Sequence, residues 1–429
     1  MSERKHWTFK LLVPLTVLLL TLLIVVIAIG PGRFRMLFSA PPPDVPAPTT
    51  VPLPTATLPA DSPAATEPPT AVPEPEGRAT RVVPLFGEVS LPPGFGISVF
   101  ADGLDGPRMM ALGPDGQVCL AERGAGRIVC LPDRDGDGVA GGIEVIAEGL
   151  NAPSSIAFRP DGSLYVGETT RVLRLSGPDG EGVLRQREVI VDGLPSGGHS
   201  TRTVLFSPDG ETLFVSVGSS CNVCVEEDER RAAIVRYGTD GGGEQVFARG
   251  LRNAVGITFR PGTDELWATN NGADWLGDDL PPETVYRVQA GDDAGWPTCH
   301  SGRIVDPTFG DADACQGVLA PAVEMQAHSA PLGLTFYTGQ QFPEVYQGDL
   351  FVAFHGSWNR SEPTGYKVVR IPMDCGQPGP VEDFVVGWLR ADGSAWGRPV
   401  DVLTGADGSL FVTDDMRGEV YRVFYVDGE

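Results

Sequence analysis

The feature that most constrains this chain is a repeated unit. From about Arg81 onward, a turn rich in Pro, Asp and Gly precedes a short alternating strand, a polar loop and a second strand. The turns include Gly113-Pro114-Asp115-Gly116, Arg159-Pro160-Asp161-Gly162, Ser207-Pro208-Asp209-Gly210 and Gly405-Ala406-Asp407-Gly408. The strands begin at Gln117, Leu164, Leu213, Leu266, Leu350 and Leu410. Most intervals lie in the forties to low sixties, and the fourth is lengthened by an insertion from Gly272 to Cys315. Six such units with little helical periodicity predict an all-β, six-bladed β-propeller of four-stranded antiparallel blades. A β-sandwich of this length would be unusually large, and solenoid repeats are shorter. In a propeller the loops of every blade converge on one face, so residues distant in sequence can meet there.

The N-terminal part is different. Leu11 to Gly30 is a run of twenty residues without a charge, long enough to cross a bilayer as a helix. Arg4, Lys5 and Lys10 precede it, which favours a short cytoplasmic tail and an exported body. A cleaved signal peptide is the rival reading. From Pro41 to Glu76 the sequence is dominated by Pro, Thr and Ala, a composition that cannot bury a core. At ~3.1 Å per residue this spacer could hold the body on the order of 100 Å from the membrane. The expected order is therefore a tail (1–10), a transmembrane signal anchor (11–30), a linker (31–80) and a catalytic propeller (81–429), with the propeller outside the cytoplasm. If the anchor is cleaved, the body is secreted.

A net charge of −24 argues against nucleic acid as a partner. It favours small neutral substrates or bound cations. Of the seven cysteines, Cys119 and Cys130 are equidistant from the turn Arg123-Gly124-Ala125-Gly126. In a hairpin of that register they face each other, close enough to bridge. Cys299 with Cys315 and Cys221 with Cys224 are two further pairs, and Cys375 is left over.

One of the five histidines, His199, lies in Gly197-Gly198-His199-Ser200-Thr201-Arg202 before a strand-like run. Its small and polar neighbours predict an exposed, mobile loop. Arg252-Asn253, His328, His355 and Arg398 occupy a similar phase of their repeats, just before or after a core strand. A histidine near Arg and Asn can act as a base beside groups that hold an anionic or carbonyl partner. The loop from Asn270 to Asp279 is Gly-rich and acidic, suited to offering carbonyls and carboxylates to a hard cation. Separately, Asp133, Asp135 and Asp137, with Gly138 and then Glu144, follow calcium-loop spacing without helical flanks. They predict a single structural Ca²⁺ loop or a solvated acidic turn.

Together these segments resemble the soluble-type quinoprotein sugar dehydrogenases, in particular the glucose/sorbosone dehydrogenase group. The resemblance runs from about Val89 to Tyr425. It rests on Gly198 to Arg202, Gly250 to Gly256, Gly272 to Asp279, Gly295-Trp296-Pro297, Phe351 to Val369 and Gly397 to Val402. It implies a six-bladed propeller that oxidises an aldose or sugar aldehyde with pyrroloquinoline quinone and Ca²⁺. His199 is then the base. Arg252 is catalytic with it and also binds the cofactor, together with Asn253, Arg398, His355 and His328. The carbonyls of Gly272 and Ala273 are the Ca²⁺ ligands. Electrons leave to a respiratory acceptor that the sequence does not identify.

The chain departs from the best-known members at several places. Gly198 stands where they have Asp, Val400 where they have a second Arg, and His355 near the place of a Lys. A cofactor Gln has no match near Asn151. Two other functions fit a propeller: a Ca²⁺-dependent lactonase with axial carboxylate and Asn ligands, and a non-catalytic binding platform on the cell surface.

Overall fold

The computed structural model describes residues 81–84 and 88–426. The expected tail, anchor and linker lie outside these residues, and no helix among the described residues is long and apolar enough to cross a membrane.

The described chain is a six-bladed propeller. Blade 1 runs outward from Pro107–Leu112 through Val118–Glu122 and Arg127–Leu131 to Glu144–Ala147. Blade 2 follows from Ser155–Phe158 through Leu164–Glu168 and Arg171–Pro178 to Leu184–Val191. Blade 3 comprises Arg202–Phe206, Thr212–Val217, Ala233–Gly238 and Gln245–Arg249. Blade 4 comprises Ile257–Phe259, Leu266–Asn270, Glu283–Val288 and Val323–Met325. Blade 5 comprises Pro331–Phe336, Leu350–Phe354, Lys367–Ile371 and Glu382–Val385. In blade 6, Pro399–Thr404, Leu410–Asp414 and Glu419–Tyr425 come from the end of the chain, and Phe95–Ala101 adds the outermost strand. The ring is thus closed by pairing an early strand with a late one.

Side-chain alternation explains the stacking. Successive residues of a strand point to opposite faces. Leu164 and Val166 pack against blade 1, whereas Tyr165 between them packs against blade 3. Leu213, Val215 and Val217 face blade 2, and Phe214 faces blade 4. One apolar layer forms at each blade boundary, and each fully buried aliphatic side chain contributes about 1.5–3 kcal/mol. The repeated strands read from the sequence are the middle strands of each blade, buried on both faces.

The insertion is split in two. Gly272 to Asp279 lies in the loop between the second and third strands of blade 4, whereas the segment holding Cys299 and Cys315 follows the third strand. All three expected disulfides are present, and Cys119 pairs directly with Cys130 in the ladder. Cys375 is free.

An axial cavity of about 460 Å³ runs along the inner strands. Its lining includes the buried carboxyl of Asp401, whose Oδ2 accepts from the Met110 amide at 2.7 Å and ties blade 6 to blade 1. Burial pushes the Asp401 carboxyl up to about 7. His199, Arg252 and Arg398 do not line this cavity.

Candidate functional site

The site residues lie at the other end of the inner strands, on the loops that enter each blade and those that join its second and third strands. Gly197–Thr201 leads into blade 3. The structure corrects the expectation of a mobile loop. Two buried arginines clamp its carbonyls. Arg202 donates to the His199 carbonyl at 3.0 Å, and Arg231 donates to those of Gly197, at 3.2 Å, and Ser196. Gly198 has φ +58°, and a Cβ there would lie 2.5 Å from the Ser220 backbone. That close approach accounts for glycine where the best-known members of the family carry aspartate.

His199 is correspondingly fixed. Its Nδ1 lies 3.0 Å from the Ser219 carbonyl and 3.0 Å from the Ser219 hydroxyl. A carbonyl only accepts, so Nδ1 carries the proton and Nε2 keeps its lone pair. Burial, followed by the charge of Arg252, lowers the imidazole pKa to about 4. Arg231 and Arg202 act in the same direction, and the bond to Ser219 opposes them. Asn253 is adjacent: a Cβ on Gly218 would come within 2.6 Å of the His199 Cβ and 2.5 Å of Asn253 Oδ1.

Arg252 is buried and faces blade 4. It pairs with Asp274 at 2.8 Å and donates to the Asn222 carbonyl and side-chain oxygen at 2.9 and 3.0 Å. Asn222, between the bridged Cys221 and Cys224, also accepts from the Asp274 amide and the Trp296 indole, and donates to the Asp274 carbonyl. Sequence reasoning missed Asn222. Its only signal was its place inside a four-residue disulfide loop.

The Gly272 segment is held from both sides. The Gly272 amide donates to the buried Glu283 at 2.7 Å, and burial pushes that carboxyl up to about 7. The carbonyls of Asn271 and Asp274 accept from Arg252 and Asn222. Between them, the carbonyls of Gly272 and Ala273 receive no hydrogen bond from the described residues. Two adjacent free carbonyls in an acidic loop fit a hard cation.

On the far side of the ring, His355 Nε2 is 2.9 Å from Asp415 Oδ1, and Arg108 binds Asp415 Oδ2 at 2.8 Å. Burial lowers the His355 pKa, with Asp415 opposing and Arg398 and Arg108 reinforcing. Arg398 donates through Nε to the His355 carbonyl at 3.2 Å, and its two Nη groups make no hydrogen bond or ion pair with the described residues. An unpaired guanidinium fork fits a carboxylate ligand. His328 is brought elsewhere: its Nε2 meets the Gly277 carbonyl at 2.7 Å and braces the acidic loop.

These contacts join into a ring. Arg123, from blade 1, donates to Ser200 at 3.0 Å, and the Arg123 amide bonds to Gly106 near Arg108. Asn359, in the His355 loop, donates to Asp274 at 3.0 Å. Residues from blades 1, 3, 4, 5 and 6 therefore form one connected polar array. It contains six arginines, although the chain as a whole is strongly acidic.

The second acidic motif is separate. Ligand oxygens of Asp133, Asp135 and Asp137 lie within 4.8 Å of one another. Asp133 caps the amides of Gly136 and Gly138 at 2.8 and 3.0 Å. Glu144 pairs with Arg134 at 2.8 Å and is not part of that cluster.

The fold and this array define a six-bladed propeller built around two histidines, His199 and His355, and a set of convergent arginines. The chain belongs to the TrAA12-like family, whose model matches residues 89–293 and 298–425. It is 27% identical over 317 residues to a pyrroloquinoline quinone-dependent pyranose dehydrogenase of Coprinopsis cinerea, covering 56% of this chain and 42% of that protein. It is 36% identical over 231 residues to an uncharacterised protein of Borreliella burgdorferi, covering 53% of this chain and 61% of that one. The chain thus spans roughly half the length of these curated relatives. Among solved structures, the holo pyranose dehydrogenase PQQ domain of Coprinopsis cinerea superposes with a TM-score of 0.69 at 23% identity, covering 79% of this chain and 97% of that domain. The family resemblance read from the sequence is borne out.

Proposed function

We propose that this protein is a pyrroloquinoline quinone- and Ca²⁺-dependent oxidoreductase that oxidises an aldose or sugar aldehyde. The observation that carries the proposal is His199, held neutral with Nε2 free beside convergent guanidinium groups. The family match and the name of the Coprinopsis relative support it.

When bound, the quinone accepts a hydride and Ca²⁺ acts as a Lewis acid on it. The chain's own contribution is to bind, orient and move a proton. Arg398 offers its free fork to a carboxylate. The carbonyls of Gly272 and Ala273 offer a cation two oxygen ligands. Asn253 sits beside His199. His199 Nε2 takes the proton of the substrate hydroxyl, while Nδ1–H stays on Ser219 and fixes the ring plane. The nearby charges of Arg252, Arg231 and Arg202 favour negative charge developing on the substrate oxygen. Arg252 acts by holding Asp274 and by its charge, since most of its donors are occupied.

The lactonase alternative needs axial carboxylate and Asn ligands. Among the described residues lining the axial cavity, Asp401 is the one carboxylate, and it bonds to Met110. We further infer an exported propeller anchored through residues 11–30, since three disulfides suit an oxidising compartment. Its electrons would pass to a respiratory acceptor.

The test uses the purified full chain with Ca²⁺ and pyrroloquinoline quinone, assayed by dye reduction with several aldoses. Cofactor uptake seen by absorbance, followed by aldose-dependent reduction, is expected. Absence of uptake would sink the proposal, and turnover of a lactone with Ca²⁺ alone would favour the alternative.

A further inference from the structure

Two tryptophans stand outside the arrangement described so far. Trp275 is 68% exposed and Trp358 is 65% exposed, whereas the other described tryptophans, Trp267, Trp296, Trp388 and Trp396, are buried. Trp275 and Trp358 come from equivalent loops of the neighbouring blades 4 and 5. Their ring centroids are 5.1 Å apart with planes at 87°, an edge-to-face pair.

The loops hold this pair out rigidly. Trp275 has φ +72°, a conformation that costs a non-glycine residue about 1 kcal/mol or more. It follows Asp274, which is fixed by Arg252 and by Asn359, the residue after Trp358. On the other side, Arg360 bonds to the Asp278 carbonyl and pairs with Asp279 at 3.1 Å, and the Ser361 amide donates to Asp278 at 3.0 Å. Both indoles are thus presented to solvent by hydrogen-bonded loops that also reach Arg252. Exposed apolar groups positioned in this way mark a binding surface.

The chemistry selects the occupant. The electron-rich face of an indole attracts the partly positive C–H groups of a sugar ring, as it does an aromatic edge. The carboxylates of Asp278 and Asp279, held beside the pair by the Ser361 amide and Arg360, can accept sugar hydroxyls. The area also discriminates. Two indoles offer a few hundred Å² at most (roughly 150–250 Å² each). A stable protein partner needs about 800 Å² on each side.

We propose that Trp275 and Trp358 form a stacking subsite for a second pyranose ring, so that the substrate is a neutral oligosaccharide whose reacting unit reaches His199. The identity of the reacting step rests on the dehydrogenase reading above, whereas the stacking subsite does not.

The test has two arms on the full chain. In the first, calorimetry without cofactor measures binding of glucose, maltotriose and cellotriose. At least one trisaccharide is expected to bind tenfold or more tighter than glucose, and Trp275→Ala and Trp358→Ala should each lose tenfold or more of that affinity. In the second, the KM ratio of trisaccharide to glucose in the loaded enzyme should rise about tenfold in either variant. Circular dichroism checks that the variants fold. Trisaccharide binding no tighter than glucose, or variants indistinguishable from wild type, would overturn the proposal. It would also be overturned if the variants changed only self-association or turnover with a protein electron acceptor. Tryptophan-dependent trisaccharide binding without cofactor uptake would uphold the subsite and remove the dehydrogenase reading. Cofactor uptake with an unchanged KM ratio would do the reverse.

Discussion

His199 Nδ1 donates to the Ser219 carbonyl at 3.0 Å, and this one contact decides which ring nitrogen is free to take a proton. A His199→Ala variant should take up cofactor yet lose about 10²–10⁴-fold in turnover, the usual contribution of a positioned base. The ring must be neutral to act. Its pKa is lowered to about 4, so the neutral form persists down to that pH. The acidic limb of kcat/KM should therefore lie near pH 4 and not near 6.5. A limb at the ordinary histidine value would exclude His199 as the titrating base.

Arg398 provides the second prediction. Its fork is unpaired, so replacement by Lys keeps the charge and loses the two-pronged contact. Cofactor affinity should fall about 10–100-fold, equivalent to roughly 1.4–3 kcal/mol. An absorbance titration measures it. Unchanged affinity would mean that Arg398 faces no carboxylate.

Asn222 makes contacts to Arg252, Asp274 and Trp296 from inside the Cys221–Cys224 loop. Asn222→Ala should weaken cofactor binding and destabilise the fold by about 1–3 kcal/mol, the cost of stranding buried partners. The Cys221–Cys224 bridge is more accessible than the buried Cys119–Cys130 pair. Mild reductant should open it first, lowering cofactor affinity before the melting transition broadens. Thiol labelling with mass spectrometry gives the order.

Introducing at position 198 the aspartate of the best-known soluble-type quinoprotein sugar dehydrogenases is a useful counter-test. At Gly198 the backbone has φ +58°, and a Cβ meets the Ser220 main chain at 2.5 Å. Gly198→Asp should therefore cost about 1–3 kcal/mol and reduce turnover. A rise in both stability and turnover would contradict the geometry described for this loop.

Asp401 gives a pH-dependent prediction away from the chemistry. Its carboxyl is pushed up to about 7 by burial, against about 4 in an unfolded chain. Between these values the folded state binds the proton and the unfolded state does not, so this group's contribution to stability falls as pH rises from 4 to 7. In Asp401→Asn that loss is absent. Denaturation midpoints of the variant should therefore decline less over this window than those of the wild type.

The propeller was readable because the middle strands of each blade are buried on both faces and preceded by similar turns. The outer and inner strands were harder to see. Ile257–Phe259 and Val323–Met325 are three residues long and carry almost no periodicity. Cys119 and Cys130 could be paired from the sequence because a ladder places equidistant residues opposite each other.

The site was readable in part. The phase of His199, Arg252 and Arg398 in the repeat brought them to one face. Their bonding was hidden, because it depends on partners in other blades. His328 turned to Gly277, and Glu144 turned to Arg134. Net charge suggested neutral substrates or bound cations, in keeping with the proposed sugar and Ca²⁺, but gave no sign of the several guanidinium groups that the loops converge and that suit an anionic cofactor. Bulk composition averages over the surface and does not register a local field.

The strand Phe95–Ala101 lies outermost in blade 6, paired with Glu419–Tyr425. During synthesis the first of these segments emerges long before its partner exists. Domains otherwise tend to fold from the N-terminus as they appear. Here an edge with open hydrogen-bonding groups must wait until nearly the whole propeller has been made. Late truncations should thus leave a soluble-looking but open ring, with Phe95–Ala101 exposed to pair with other chains. The join that completes the circle is also the point at which unfinished molecules are most apt to aggregate.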